Sequence, residues 1–462
     1  MPGNGAWRSL AARSLWEREV PGSNPGAPIR ALRWTTNQLM PRSPQIGQPG
    51  LHESPAASAA LRWPRILAAV LLLLAAACAV QLGRGVAGAK LVRSLAPISR
   101  VPGTRVQIPW PEGGAAAMTV EAVAPLGGVR TGRVLPLASV TKLVTALVVL
   151  KAHPLALGQS GPGITFTAAD AIAYQRDLAQ DQSVLKVAAG ETLTELQALE
   201  GMLIPSADNI ARVLAVWTAG SESLFVREMN AEAGALGLHG VHLVGPSGLN
   251  PGSVGTAAAM VKLGAVAMAN PVLRQIVAMP SVTLPVAGTV ANYDSVLGQH
   301  GIVGIKTGST GAAGGNFVFA ARHRVAGVPV TTVGAVLDAR GADPLQTALS
   351  EATALAAAAA AAIRWVAVLP AGTLVLTVKS GWGPPVQART ARVLGIVAVA
   401  GQRLRLRLRL VPGAWRGAVN GIVAGQLLGH VDLRYGGQRV SVPVTAARSL
   451  GRPSLLYRLL RI

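Results

Sequence analysis

Apolar residues recur at helical spacing in the middle of the chain and at strand spacing towards its C-terminus. The segment 167–237 has the helical period, and within "GETLTELQALEGML" we expect a capping box formed by Thr192 and Glu195. Residues 257–268 and the alanine-rich stretch 344–364 predict two further helices. These helices make up the central part of the predicted fold.

Strands are predicted on both sides of the helical region. Residues 115–130 are typical of a strand and turn, and residues 301–308 predict a strand. The runs "NFVFAARHR" and "VPVTTVGAVLDA" are joined by a short Ala-Gly turn and predict a hairpin. The order strand, helices, antiparallel strands, helix predicts an α+β fold, an antiparallel sheet with a helical subdomain. From residue 366 onwards, short strands and turns predict a small β-rich domain without a long helix.

An apolar run, Ile66–Val80, follows Arg65 and precedes small residues. This pattern predicts a signal peptide or membrane anchor over residues 63–83 and therefore a protein that acts outside the cytoplasm. The chain's single cysteine, Cys78, lies inside the run, so an intrachain disulfide is excluded. Lipid modification of Cys78 is an alternative to a plain anchor.

The segment before the apolar run is rich in Pro, Gly, Ser and Arg and has no sustained period. We expect residues 1–62 to be disordered. The stretch "AARSLWEREVPGSNPGAPI" resembles the translation of a transfer-RNA gene. Residues 1–39 are therefore interpreted as an over-extension of the start site, with Met40 as a natural start.

The remaining chain divides into four parts by composition. A chain that is 50% hydrophobic and 13% charged has enough apolar residues for a large core. The predicted parts are a linker over 84–113, a catalytic domain over 114–365, a β domain over 366–447 and a basic amphipathic tail over 448–462.

Positive charge is concentrated at the C-terminus. The net charge is +22, and residues 366–462 contain fourteen Lys and Arg but one acid, Asp432. The run "RLRLRLRL" at 403–410 places four arginines on one face of a predicted strand. An anionic membrane surface or wall polymer is the expected neighbour, and a merely solvated sheet face is the alternative. Nucleic acid is not expected, because zinc-finger spacing is lacking and only four Phe and four Tyr are available for base stacking.

The helix predicted over residues 137–151 has an unusual start. Ser139 and Lys142 are three residues apart and lie on one helical face, which is how a chain can hold a nucleophile beside its base. The alternative is a helix N-cap serine with a lysine that extends to solvent. A single SxxK pattern does not decide between the two.

Two further motifs favour the nucleophile–base interpretation of Ser139 and Lys142. "LIPSADNIA" at 203–211 and "GIKTGSTGAAGG" at 304–315 complete the SxxK, SxN and KTG set of penicillin-binding proteins and class A β-lactamases. In order and spacing, "VAAGETLTELQALEGMLIPSADNIA", "MNAEAGALGL" and "PSGLNP" resemble the low-molecular-mass D-alanyl-D-alanine carboxypeptidases. The resemblance covers roughly residues 115–340. It implies the fold shared by serine β-lactamases and penicillin-binding-protein transpeptidases, followed by a β domain.

The resemblance implies the roles of the first three site residues. Ser139 is the nucleophile, Lys142 its base and Ser206 the relay that passes the proton towards the leaving D-alanine. Lys142 accepts a proton only when neutral, so its pKa must be depressed by desolvation and by a second cation. By resemblance that cation is Lys306.

The KTG strand is implied to hold the substrate. Lys306 and Thr307 bind the terminal carboxylate, and Gly308 lets an extended peptide approach the strand without a Cβ in the way. The backbone N–H groups of Ser139 and Ser309 form the oxyanion hole. No metal or organic cofactor is required.

The resemblance, with the apolar segment before it, implies an exported serine DD-carboxypeptidase that removes the terminal D-alanine of peptidoglycan stem peptides and is inhibited by penicillins and other β-lactams. One alternative is a class A-like β-lactamase, although nothing between residues 206 and 306 resembles the glutamate loop that activates its deacylating water. A second alternative is a penicillin-recognising module that binds cell-wall peptides without turnover.

One position departs from the family pattern. The third residue of SxN is Asp208, a predicted substrate-binding residue, with Asn209 immediately after it. A carboxylate beside Lys142 favours the charged lysine and works against the neutral base. We expect Asp208 to occupy the family position; the alternative is a local shift that turns Asn209 inward.

Overall fold

The computed structural model describes residues 62–414 and 416–461. The expectations for residues 1–39, and for the rest of the N-terminal segment up to residue 61, lie outside this part of the chain. The helices are α1 (Arg62–Gly83), α2 (Lys142–Ala152), α3 (Ala168–Leu178), α4 (Glu195–Leu203), α5 (Asp208–Ala219), α6 (Glu222–Ala235), α7 (Ala257–Ala269), α8 (Pro271–Ile276), α9 (Pro344–Ala362) and α10 (Leu455–Leu460).

Strands occur before, between and after these helices. The strands are β1 (Lys90–Arg93), β2 (Ile98–Arg100), β3 (Ala115–Val120), β4 (Ala124–Val129), β5 (Leu135–Pro136), β6 (Gly163–Thr165), β7 (Thr192–Thr194), β8 (Val254–Gly255), β9 (Ser281–Leu284), β10 (Gly288–Ala291), β11 (Ile302–Thr310), β12 (Gly314–Val325), β13 (Val328–Ala339), β14 (Ile363–Leu369), β15 (Leu374–Lys379), β16 (Val386–Thr390), β17 (Leu394–Val399), β18 (Arg403–Leu410), β19 (Leu427–Tyr435) and β20 (Gln438–Ala446).

Helix α1 contains the apolar run predicted from the sequence. It has 22 residues and is long and apolar enough to cross a membrane, a test that a signal sequence also passes. The sequence prediction of an apolar segment over 63–83 agrees with this helix to within one residue.

A five-stranded antiparallel sheet forms the centre of the first domain, in the order β11-β12-β13-β3-β4. The predicted hairpin is confirmed, because β12 and β13 pair antiparallel. Alternate residues of β12 face opposite sides: Phe317 and Phe319 pack with α9, while Val318 and Ala320 pack with the helical region. The sheet is therefore covered on both faces, and the α+β prediction is confirmed.

Helix α4 begins two residues later than its predicted cap implies. The capping box is formed by Thr194 and Gln197, not by Thr192 and Glu195. Thr192 is instead the first residue of β7, which pairs with β6. A β pairing formed with a distant segment therefore overrides the local capping pattern.

The C-terminal domain is built around a seven-stranded sheet in the order β1-β15-β16-β20-β19-β18-β2. The run "RLRLRLRL" is β18, and Leu404 and Leu406 are buried while its arginines are exposed, so this prediction is confirmed.

The segment 84–113, expected to be a linker, contributes both edge strands of the C-terminal sheet. β1 pairs with β15 and β2 pairs with β18. Ala89 and Val101 are buried in the same hydrophobic cluster. The two edge strands of the C-terminal domain therefore precede the first domain in the sequence.

Candidate active site

Ser139 lies in a short 3-10 turn, Ala138–Thr141, that leads directly into α2. The serine side chain makes no capping hydrogen bond at the start of either helix, which removes the N-cap interpretation. Ala138 has a φ of +47°, a conformation that costs free energy for a residue with a Cβ. The turn holds the serine at the surface of the site while the following helix is buried.

Lys142 is fully buried, with 0% of its surface exposed, so it does not extend to solvent. Its Nζ donates hydrogen bonds to Ser139 Oγ at 2.8 Å, to Asp208 Oδ1 at 2.6 Å and to the Ser247 carbonyl at 3.0 Å. Burial lowers the pKa of Lys142, and the nearby Asp208 carboxylate opposes that shift. The structure thus places a lysine of depressed pKa in direct contact with the serine hydroxyl.

Asp208, rather than Asn209, occupies the third SxN position. Asn209 is directed elsewhere, because its Oδ1 accepts from Leu185 N at 3.0 Å and its Nδ2 donates to Leu185 O at 2.9 Å. The Asp208 carboxylate contacts Lys142, and the Asn209 side chain is turned away towards Leu185.

Ser206 lies on the loop between α4 and α5 and is 3% exposed. Its φ is +62°, and its Oγ has no hydrogen-bond partner within residues 62–414 and 416–461. A buried hydroxyl without a partner is costly for folding alone, and strained backbone of this kind occurs at functional sites.

The KTG residues lie on β11, the edge strand of the five-stranded sheet. Lys306 and Thr307 are buried. Burial, and then the positive charge of Lys142, lower the pKa of Lys306 to about 7. Ser309 follows on the same strand and is exposed.

Gly308 permits a close contact different from the one expected. A Cβ at this position would lie 2.8 Å from the Ser139 amide nitrogen and 3.1 Å from that of Val140. The missing side chain therefore lets β11 pack against the serine turn, which brings the backbone of the strand to the Ser139 N–H.

Two contributors to the site were not predicted as functional. Ser247 was interpreted as a turn residue; its Oγ does accept from Leu249 N, but its carbonyl also accepts from Lys142. Asp294 is 4% exposed, burial raises its pKa to about 6, and its charge acts on Lys306. The "PSGLNP" phrase was a signal for Ser247, whereas nothing in the local sequence points to Asp294.

The site is composed of hydroxyl, amine and carboxylate groups. Among residues 62–414 and 416–461, no group of three or more His, Cys, Asp or Glu side chains is arranged to hold a metal ion. The available chemistry is nucleophilic attack by a hydroxyl with proton transfer to an amine.

The site thus consists of the edge strand of an antiparallel sheet packed against the turn that carries the serine–lysine pair. Residues 130–341 match the D-alanyl-D-alanine carboxypeptidase family. The chain is similar to this family over that segment, which is a little under half of its length.

Curated relatives match this chain over part of their length. The D-alanyl-D-alanine carboxypeptidase DacB2 of Mycobacterium tuberculosis is 37% identical over 157 residues, which are 32% of this chain and 54% of DacB2. A D-alanyl-D-alanine endopeptidase of Escherichia coli is 30% identical over 219 residues, 45% of this chain and 64% of that protein. The chain thus spans between about half and two thirds of the length of these relatives.

Penicillin-binding protein 5 of Haemophilus influenzae has a similar solved structure, with a TM-score of 0.51 and 18% sequence identity. The match covers 77% of this chain and 100% of that structure. It extends over more of the chain than the family match does, and it supports a shared fold.

Proposed function

We propose that this protein is an exported serine DD-carboxypeptidase that removes the terminal D-alanine from peptidoglycan stem peptides. The observation that carries the proposal is the 2.8 Å hydrogen bond between Lys142 Nζ and Ser139 Oγ, made by a fully buried lysine. Burial favours the neutral amine, which is the form that accepts the serine proton.

In the first step Ser139 Oγ attacks the carbonyl carbon of the penultimate D-alanine, and its proton moves to Lys142 Nζ. The oxygen of the tetrahedral intermediate accepts hydrogen bonds from the backbone N–H groups of Ser139 and Ser309. The close contact of Gly308 with the Ser139 amide supports this role, because it brings the two backbones together.

Collapse of the intermediate breaks the peptide bond. The leaving amine takes a proton that passes from Lys142 through Ser206, whose Oγ is buried and free to form a new hydrogen bond within the described chain. Free D-alanine departs, and Ser139 carries the acyl group. A water molecule then attacks the ester and regenerates the serine.

The substrate carboxylate is held by Lys306 and Thr307. A buried lysine whose pKa is about 7 gains a favourable partner when a carboxylate binds beside it, since the opposite charge stabilises its protonated form. A β-lactam carries a carboxylate in the equivalent place and would acylate Ser139 in the same way, which is the basis for the proposed inhibition.

Asp208 favours a second candidate, a penicillin-recognising module with little turnover. Its carboxylate lies 2.6 Å from Lys142 Nζ and stabilises the charged lysine that cannot act as a base. Burial outweighs this effect on the pKa of Lys142, so we place the enzyme first.

The location proposed for the protein is outside the cytoplasm. Helix α1 is apolar enough for a membrane anchor or a signal sequence, and peptidoglycan lies beyond the membrane. The basic C-terminal domain would then face anionic lipid or wall polymer.

Release of D-alanine from diacetyl-lysyl-D-alanyl-D-alanine tests the proposal. We expect release by the intact protein and none by Ser139→Ala. Penicillin hydrolysis measured in parallel distinguishes the alternatives: fast hydrolysis indicates a β-lactamase, and binding with neither reaction indicates the module. Either outcome contradicts the carboxypeptidase proposal.

A further inference from the structure

The outer face of the C-terminal sheet carries a groove of about 780 Å³ between side chains of β18, β19 and β20. Arg405 pairs with Arg434 across β18 and β19, and Arg434 pairs with Arg439 across β19 and β20. Adjacent strands are about 4.8 Å apart, so the three arginines begin within about 10 Å of one another. We call Arg405, Arg434 and Arg439 the arginine row.

The arginine row does not stabilise the sheet. Like charges directly opposite each other on neighbouring strands are destabilising. The acid of this face, Asp432, lies in the next row and accepts from Arg409 Nε at 3.1 Å and from Ser441 Oγ at 2.7 Å. Within residues 62–414 and 416–461, the side chains of the row have no hydrogen-bond or ion-pair partner, so their charge is available to a ligand.

The chemistry of the groove suits a phosphodiester. Three guanidinium groups stand side by side on one face of neighbouring strands, which suits a ligand with closely repeated negative charges, and arginine is a preferred partner of phosphate groups. Ile98 pairs with Arg405 and is 62% exposed at the end of the row. It offers apolar contact to the carbon skeleton between successive phosphates.

The position of the arginine row in the sheet indicates whether its partner is a polymer or a membrane surface. The β19–β20 turn beside Arg439 packs against the first domain, where Gly437 N donates to Ala122 O at 2.8 Å. Ala446 is at the other end of β20, about 23 Å away along the strand. The segment after Ala446 leads to α10, where Arg458 donates to the Leu82 carbonyl at the end of α1.

The segment that follows α1 therefore joins the sheet at the end remote from the arginine row. The row itself lies beside the peptidase domain, away from that attachment. We propose that it binds a phosphodiester-bearing polymer of the cell envelope. This inference rests on the proposed extracytoplasmic location, but it concerns a site separate from Ser139.

Binding of labelled poly(glycerol phosphate) to the full-length protein in detergent micelles tests the proposal. The triple variant Arg405→Gln, Arg434→Gln, Arg439→Gln should bind on the order of 100-fold more weakly, because each charge-assisted hydrogen bond contributes to affinity. Its charge-matched control carries Gln at three exposed arginines outside the groove and should bind like the unmodified protein. The control positions are Arg93, Arg364 and Arg448.

Each alternative gives a different result. Equal loss in both triple variants means that net charge alone attracts the polymer, and it overturns the site. Tighter binding of polyglutamate than of poly(glycerol phosphate) overturns the phosphate assignment. Binding to phosphatidylglycerol vesicles that is stronger than binding to poly(glycerol phosphate), and that is lost in the groove variant, would identify a membrane as the partner. This result would contradict the proposal of a polymer.

D-alanine release, measured on the same preparations, separates this proposal from the proposed function. An inactive protein that binds the polymer through the row refutes only the peptidase. If the protein is active and the groove variant binds the polymer with unchanged affinity, only the proposal that the groove binds the polymer is refuted. Thermal unfolding confirms that each variant is folded.

Discussion

Asp208 is the residue at which the site departs from the family pattern, and its effect is testable. Asp208→Asn removes the carboxylate 2.6 Å from Lys142 Nζ, so the pKa of Lys142 falls further below its ordinary value. A larger fraction of the lysine is then neutral near pH 7. We predict that kcat/KM rises and that the ascending limb of its pH profile moves to lower pH.

Asn209→Ala is the control for this prediction. It removes two hydrogen bonds to the backbone of Leu185 and leaves buried groups unpaired, at a cost of about 1 to 3 kcal/mol in the free energy of unfolding. The pH profile of activity should stay unchanged. A pH profile that shifts in Asn209→Ala but not in Asp208→Asn would show that Asn209, and not Asp208, is the site residue.

Lys306 gives a prediction about substrate binding. Its pKa is lowered to about 7, so the free protein loses this charge as the pH rises through that value. A bound carboxylate raises the pKa again. We therefore predict that KM for the tripeptide increases above about pH 7 while kcat declines only at higher pH. A KM that is constant between about pH 6 and pH 9 would remove Lys306 from carboxylate binding.

At the scale of the element, α4 begins with a buried carboxyl group. Glu195 is 0% exposed and neither Oε has a hydrogen-bond partner within the described chain; burial raises its pKa from 4.5 to about 7. The folded state binds this proton more tightly than the unfolded state, so its contribution to stability falls as pH rises from 4.5 to about 7.

We predict that Glu195→Gln removes this decline. The difference in Tm between the variant and the unmodified protein should increase with pH across the window from 4.5 to about 7 and then level off. Thermal unfolding over that range measures it. A difference that does not change with pH would mean that Glu195 titrates at its ordinary pKa.

Elements with a strong local pattern were predictable from the sequence. The alternation in β18 specifies both the element and its buried side, and the three motifs specified which residues meet at the site. The start of α4 and the strands β1 and β2 were not predictable, because each depends on pairing with residues distant in sequence. Asp294 was missed for the same reason.

At the scale of the whole molecule, β1 and β2 make the C-terminal domain depend on residues that precede the peptidase domain. Val101 is 2% exposed in its core, whereas Val92 on β1 is 43% exposed. We predict that Val101→Asp destabilises the protein by more than about 3 kcal/mol, because it buries an unpaired charge. Val92→Asp should change stability by less than about 0.5 kcal/mol.

Denaturant unfolding of the two variants measures this difference. The D-alanine release assay reports whether the peptidase domain remains folded when the second domain is destabilised. Equal stability of the two variants would show that residues 84–113 are a linker after all.

The central claim is that Ser139 is a nucleophile activated by Lys142, and peptide mass spectrometry after exposure to labelled penicillin tests it most directly. We predict a covalent adduct on the peptide that contains Ser139. The Ser139→Ala variant should show no adduct and should remain folded, because this side chain caps neither helix. An adduct on another residue, or none on the folded intact protein, would contradict the account.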